Sequence, residues 1–390
     1  MKTQIITLKK HIQPLLLVAV TGLLATGCQT YQQQNKTIVN WRQGNITNAV
    51  AEATQMAHAH AGGKDDIIWR LEEGTVLRAN GQYEASNKAF DLAQAKMEEY
   101  AASAKVKVGH EAGALLSNQA NLPYEGRAYD GIMLNTYEAL NYLALGEPEK
   151  ARPEIIHAYH RQQDAVEENK KRIERIQSEL ANNTNSVAIQ KAQQDQKFQA
   201  QMRGTNYACL NELQPYANYV NPFTVYLDGL YFMANAADAS DLERAHKSLE
   251  RVEGFIGDNG YIKHDLAAVD DLINGKPLVP TTYVVFETGC APERGQTRVD
   301  VPIIISKVSY VGAAFPTLRM QNHYVPGLTI KADGTELNTV LLSSMDSVIG
   351  LDFKNELPTI ITKTIAATIT KAVAAYAIND AAKQQSSLGG

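Results

Sequence analysis

The sequence lacks several features that mark common functional classes. Its N-terminal apolar run, residues 15–25, has eleven residues, whereas a membrane-spanning helix needs about 20. Basic residues do not exceed acidic ones, with 37 Lys+Arg against 42 Asp+Glu, so the chain lacks the basic surplus typical of nucleic-acid partners. G-x-S-x-G, a phosphate-binding glycine loop and a complete zinc-protease motif are also missing. We therefore expect no catalytic residues, no metal site, no cofactor and no nucleic-acid partner.

The N-terminus is organised like a secretory signal. Three lysines and no acid precede residue 15, and after the apolar run Ala25-Thr26-Gly27 leads to Cys28. This resembles the lipobox of bacterial lipoproteins, in which the cysteine is acylated and becomes the new N-terminus. That family prefers Leu three places before the cysteine, where this chain has Ala25. The resemblance implies a signal peptide at 1–27 and lipid attachment, including palmitate, at Cys28; the alternative is an ordinary signal with a chance cysteine.

The residue after Cys28 bears on location. In Gram-negative lipoproteins an Asp there directs retention at the inner membrane, and this chain has Gln29. The resemblance therefore implies a protein anchored in the outer membrane at its periplasmic face. Acyl chains contribute about 0.8 kcal/mol per buried methylene, so several chains suffice for stable anchoring.

The other two cysteines are Cys209 and Cys290. An even pair in an oxidising compartment can form one disulfide. They lie in different segments, so two buried thiols are the alternative.

Residues 28–46 are rich in Gln, Asn and Thr and predict a polar tether, with a first short helix as the alternative. From 47 to 278 the pattern is mostly helical, and three stretches share similar offsets. The shared positions are a small residue (Gly74, Ala139, Gly229), a turn glycine (Gly81, Gly146) and a large apolar residue (Phe90, Ile155, Leu249). These offsets resemble the tetratricopeptide repeat, a helix–turn–helix unit of about 34 residues, in which small residues let the helices pack closely. We predict a tetratricopeptide-like helical domain with inserts.

One insert, at about 161–203, is almost wholly polar. Its composition predicts a long solvated helical hairpin, broken near Asn182–Asn185. A coiled coil that binds a partner is the alternative.

The pattern changes after about residue 279. Apolar or alternating stretches predict a small sheet of four or five strands within 279–345, at Tyr283–Glu287, Val299–Ile305, Val308–Phe315, Gly327–Ala332 and Thr335–Leu342. Asp333-Gly334 predicts a hairpin turn. In the last part, 346–390, a helix is expected to start near Leu357-Pro358, with an apolar stripe at Ile361, Ile365, Ile369, Val373 and Tyr376. We expect this helix to pack on the sheet, with a membrane-surface helix as the alternative. The predicted fold class is mainly α with a smaller α+β part.

With these segments placed, the chain resembles an uncharacterised family of bacterial lipoproteins with tetratricopeptide-like helices and a β-rich C-terminal part. The resemblance is carried by LPYEGRAYDGIMLNTYEALNYLALGEPEKAR, VVFETGCAPER, VSYVGAAFPTL and FKNELPTIITKTIAATITKA. It implies neighbouring genes for small envelope lipoproteins, including ones like activators of penicillin-binding proteins, as candidate partners. It also implies relatives that continue beyond residue 390.

The stretch PYEGRAYD, just before the best repeat helix, and the helix after it hold the candidate partner-binding residues. These are Tyr124, Glu125, Tyr129, Asp130, Tyr137 and Asn141, which we expect to present aromatic and polar groups on a concave face. The alternative is that Tyr129 and Tyr137 belong to the core and the loop caps a helix.

Two histidine pairs, His58/His60 and His157/His160, stand at close spacing. Neither has a carboxylate or cysteine in a recognised metal pattern, so surface histidines are the better interpretation.

Taken together, these features predict a lipid-anchored periplasmic scaffold or adaptor that is not an enzyme. Its helical repeats would bind another cell-envelope protein, and its β part would dock a second partner or an identical subunit. A cell-wall glycan-binding or hydrolytic protein is one alternative. A subunit of an outer-membrane export or assembly complex is another.

Overall fold

The computed structural model describes residues 36–106, 123–181, 186–213, 216–217, 219–305, 308–321, 324–332 and 334–387. The chain forms two compact units. The first takes its described residues from Met1–Ala102, Pro123–Gly126 and Ala144–Gly146, and the second from Ser103–Leu122, Arg127–Leu143 and Glu147–Gly390. The predicted signal peptide and Cys28 lie outside the described residues. Of the predicted tether only the part from residue 36 is described, and residues 36–42 are helical.

The first unit is built on helices α1 (Ile46–Ala59), α2 (Asp66–Ala79) and α3, which begins at Tyr83 and ends at Val106. Gly81 takes a positive φ of 73° in the turn between α2 and α3. The Phe90 ring lies so close to Gly74 that a β-carbon on Gly74 would be 2.4 Å from it. The small residue, turn glycine and large apolar residue predicted for this hairpin therefore have the packing roles expected of them.

The second unit is mainly helical. Its helices before the strands are α4 (Ala128–Ala144), α5 (Pro148–Ala181), α6 (Ser186–Gln194), α7 (Gln196–Arg203), α8 (Pro222–Ala234), α9 (Ala239–Ile256) and α10 (Gly260–Ile273). A short 3-10 helix, Asn206–Asn211, follows α7. One core joins α4, α5, α8, α9 and α10 through buried residues that include Ile155, Phe232, Leu249 and Val269.

Gly229 in α8 is required by the close approach of α9. A β-carbon there would lie 2.8 Å from Cγ of Leu249, which is fully buried. We expect Gly229→Ala to lower the free energy of unfolding by about 1–3 kcal/mol, because well-packed cores resist added volume. Gly254→Ala in α9 is the matched control, since nothing lies within 4 Å of its β-carbon position. It should instead stabilise by about 0.5–1 kcal/mol. Urea denaturation measures both, and equal effects of the two variants would contradict the packing role.

The β part forms two separate antiparallel hairpins instead of one sheet of four or five strands. β1 (Glu293–Ile305) pairs with β2 (Val308–Arg319), with Val301 opposite Val311. β3 (Thr329–Ala332) pairs with β4 (Thr335–Asn338), as the Asp333-Gly334 turn predicts. The predicted strand at Tyr283–Glu287 is wrong, because these residues pair with no described strand. The fold class, mainly α with a small β part and a C-terminal helix, is confirmed.

The last helix, α11 (Met345–Ser387), starts about twelve residues earlier than expected and carries Pro358 inside it. Ser344 is the residue that caps the start of α11, because its carbonyl accepts a hydrogen bond from the Val348 N–H. Its residues Ile365, Ala366 and Ile369 pack against β1 and β2 in a second core. The helix packs on a hairpin, as expected, but its start near Leu357-Pro358 was predicted wrongly.

The polar insert at 161–203 is not a solvated hairpin throughout. Ile189 and Ala192 in α6 and Phe198 in α7 are buried in the same core as β1, β2 and α11. Gln193 also donates to the Thr362 hydroxyl at 2.9 Å. A few apolar side chains at helical spacing were enough to attach this segment to the hairpin.

Candidate functional site

The predicted partner-binding residues do not all lie in the same unit. Tyr124 and Glu125 belong to the first unit, where the Tyr124 N–H donates to the Lys64 carbonyl at 2.8 Å and Glu125 is exposed. Tyr129, Asp130, Tyr137 and Asn141 belong to the second, on α4.

Two of the α4 residues have structural roles. Tyr129 packs against a core that includes Leu318 and Phe353, and burial raises the pKa of its hydroxyl. The Asp130 carboxylate accepts from the Arg127 N–H at 2.7 Å and so caps the start of α4. This corresponds to the alternative in which Tyr129 is core and the loop caps a helix.

The other two α4 residues differ in exposure. Asn141 is fully buried, and Tyr137 is half-buried. A buried amide cannot contact a partner without local unfolding, so Asn141 is removed from the candidate set. The binding prediction for the remaining residues stays a prediction.

Cys209 and Cys290 form no disulfide in the structure, where both are half-buried thiols. Burial raises the pKa of the Cys209 thiol. The alternative of two thiols therefore applies, with the difference that both side chains keep partial solvent access.

The histidines do not form a metal site in the part of the chain that the structure describes. There, no three His, Cys, Asp or Glu side chains converge to hold an ion. His60 stacks on the Trp69 ring at 5.9 Å, while His157 and His160 are exposed. Within the same residues, no helix has the length and apolar content needed to cross a bilayer.

The most unusual surface of the second unit is apolar. We call residues 277–286, 324–332 and 334–341 together the apolar docking surface. Eleven of the twenty large apolar side chains exposed among the described residues lie in it: Leu278, Val279, Tyr283, Val284, Val285, Tyr324, Val325, Leu328, Leu337, Val340 and Leu341. Clustered exposed apolar side chains mark interaction sites more often than isolated ones.

Helix α10 forms hydrogen bonds with residues of two of these segments, 277–286 and 334–341. The Tyr283 hydroxyl donates to Asp265 at 2.8 Å, and Asp265 also accepts from Tyr226 at 2.6 Å. The Tyr261 hydroxyl donates to the Asn338 carbonyl in β4 at 2.8 Å. Burial raises the pKa of Asp265, while the two tyrosine hydroxyls act in the opposite direction. The buried carboxylate therefore fixes the middle of 277–286 on the helical core.

Among the described residues, the backbone of 277–286 has no partner outside the segment; within it, the Val279 carbonyl accepts from the Thr281 hydroxyl at 3.0 Å. The segment runs without a helix, turn or bend and is therefore extended. No backbone hydrogen bond joins it to another described residue. Its N–H and C=O groups thus resemble those of an open strand edge, which can accept an added strand.

The sequence contained part of this signal. The β-branched run at 283–287 indicated a strand, but Pro277 and Pro280 just before it indicated a strand that cannot lie inside a sheet. The arrangement offers an edge for strand addition and apolar side chains for contacts. Comparison with protein-family models, with curated proteins and with solved structures finds no match to this chain.

Proposed function

We propose that this protein is a lipid-anchored scaffold or adaptor of the bacterial envelope. Cys28 would hold it at the periplasmic face of the outer membrane, and the folded part would bind other cell-envelope proteins, including small lipoproteins. The observation that carries the proposal is the apolar docking surface, with its exposed side chains and with a segment, 277–286, whose backbone forms no ladder bond to another described residue.

The helical hairpins give this surface a firm base. Asp265, only 1% exposed, links α10 to α8 through Tyr226 and to the surface through Tyr283. A preorganised surface loses less conformational entropy on binding than a flexible segment does. A scaffold needs such a rigid platform, whereas a catalytic role would call for convergent reactive groups.

The proposal is tested by capture in intact cells. Tagged and untagged copies of the full chain are expressed together, crosslinked and affinity-purified. We expect Val279→Asp with Leu341→Asp to reduce recovery of every specific partner, an untagged copy included, by roughly tenfold, since two buried charges oppose docking.

Val187→Asp is the matched control, because Val187 is 65% exposed on α6 and lies outside the apolar docking surface. It should leave recovery unchanged. Equal recovery with all three proteins would contradict the proposal, as would a wild-type chain that captures nothing above background.

A further inference from the structure

Residues 277–286 are neutral from end to end. They contain no Asp, Glu, Lys or Arg, and no backbone bond pairs them with another described residue. Monomeric proteins usually protect an open strand edge with charges or prolines, which hinder its pairing with another chain. Pro277 and Pro280 lack a backbone N–H and so limit the registers in which a strand can pair here. They place no charge on the edge. This segment is therefore suited to pairing.

Two copies of the segment are complementary when they run antiparallel with Thr282 of one copy opposite Thr282 of the other. In that register Leu278 of one copy lies opposite Phe286 of the other, and Val279 lies opposite Val285. Apolar and β-branched residues directly opposite each other stabilise antiparallel pairs. The matching is a property of this sequence and needs no second kind of protein.

The prolines are compatible with this register. Pro280 lies opposite Val284 of the other copy, two pairs away from the central Thr282 pair and of the same hydrogen-bonding type. If both are non-hydrogen-bonded pairs, the missing N–H of Pro280 removes no ladder bond. Pro277 lies at the end of the pair, where a missing donor has little effect.

Charges at the two ends favour the same direction. Lys276 precedes the segment and Glu287 follows it. Antiparallel pairing brings the Lys276 end of each copy to the Glu287 end of the other, whereas parallel pairing would align like charges. Lys276 contacts Asp271 of its own chain at 2.7 Å, but both side chains are exposed, and such pairs contribute only about 0–1 kcal/mol.

The exposed apolar area is of the order that a dimer interface buries. The eleven exposed apolar residues of the docking surface offer roughly 1,000 Å² per copy, and a standard interface buries about 800 Å² per partner. A twofold axis applies the same patch to both copies.

We propose that residues 277–286 pair antiparallel, about Thr282, with the same residues of a second copy of this chain. The hairpin of β3 and β4 adds apolar contacts beside the pair. This inference rests on the proposed function, since it names the protein that occupies the docking surface.

The test uses Thr282→Cys in the full chain, expressed in cells and treated with copper–phenanthroline as thiol oxidant. Two Thr282→Cys side chains at a non-hydrogen-bonded pair are close enough to form a disulfide. We expect a band of doubled mass on a non-reducing gel, roughly tenfold above Val187→Cys and above the parent chain with Cys209 and Cys290. Adding Val285→Asp to Thr282→Cys should reduce the band to the control level.

A doubled band at the control level would overturn the dimer, as would a band that survives Val285→Asp unchanged. If Thr282→Cys instead joins a different protein, the dimer is overturned and the scaffold proposal stands. If the doubled band is absent and the capture experiment also recovers nothing, both proposals fail. All positions involved are exposed, so misfolding does not explain a negative result.

Discussion

Replacing Arg244 by alanine is expected to lower the free energy of unfolding by about 3–5 kcal/mol, because it leaves a buried carboxylate without its cation. Arg244 donates to Asp228 from Nε and Nη2, the latter at 2.6 Å, and the Asp228 side chain is 2% exposed. The guanidinium also lies over the Phe232 ring at 4.2 Å and the Tyr159 ring at 5.0 Å. The Ser248 hydroxyl also donates to Asp228. After the substitution Asp228 would keep this hydrogen bond and lose those from Arg244.

Urea denaturation of the purified chain measures this effect, and Lys247→Ala is the control. Lys247 lies on the same helix in an exposed ion pair with Glu243, so its loss should cost less than about 1 kcal/mol. Replacing both Asp228 and Arg244 with apolar residues of similar volume should recover much of the lost stability. Similar effects of Arg244→Ala and Lys247→Ala would show that the buried pair does not stabilise the helical core.

The second large effect is expected from Cys28→Ala, which removes the proposed lipid. Acyl chains supply about 0.8 kcal/mol per buried methylene, so losing them should abolish fatty-acid labelling and remove the protein from the outer-membrane fraction. Fatty-acid labelling and fractionation measure both the modification and the location. The uncleaved signal peptide is checked by mass, because it would itself retain the chain at the inner membrane.

Cys290→Ala is the matched control, since Cys290 is a half-buried thiol in the folded part. It should keep both label and location. Label retained in Cys28→Ala, or label lost in Cys290→Ala, would contradict the assignment of the lipid to Cys28.

The helical hairpins could be predicted from sequence because their packing depends on local contacts. Gly74 with Phe90, and Gly229 with Leu249, are pairs in which a small residue meets a large one across a single turn. Such pairs appear at similar offsets along the chain, with about four extra residues at the turn between Gly229 and Leu249. The β3–β4 hairpin was equally local: Asp333-Gly334 predicts a turn, and Ala332 pairs with Thr335.

The start of α11 was missed because Pro358 was given too much weight. A proline inside a helix removes one hydrogen bond, and packing can offset that loss. Here Phe353, upstream of Pro358, is fully buried, and so is Ile365 beyond it. Ser344 with Asp346 two residues later is a helix-start signal, and it lies upstream of the apolar stripe.

The sequence could predict the strand propensity within the docking surface, but not the absence of a neighbouring strand. The residues from 283 to 287 have strand propensity, but whether a neighbouring strand is present is a tertiary property. The anchor between Tyr283 and Asp265 joins residues 18 apart in sequence across a loop. Burial of Asn141, likewise, follows from helices that contact α4 and has no signal in its own neighbourhood.

The most direct test of the central claim is site-specific photo-crosslinking in intact cells. A photoreactive residue is placed at Val279 or Leu341 on the docking surface, or at Val187 or Leu92 elsewhere; all four are exposed. The scaffold account predicts discrete protein adducts from Val279 and Leu341 and none from Val187 and Leu92. No adduct from the docking surface, or the same adducts from all four positions, would contradict it.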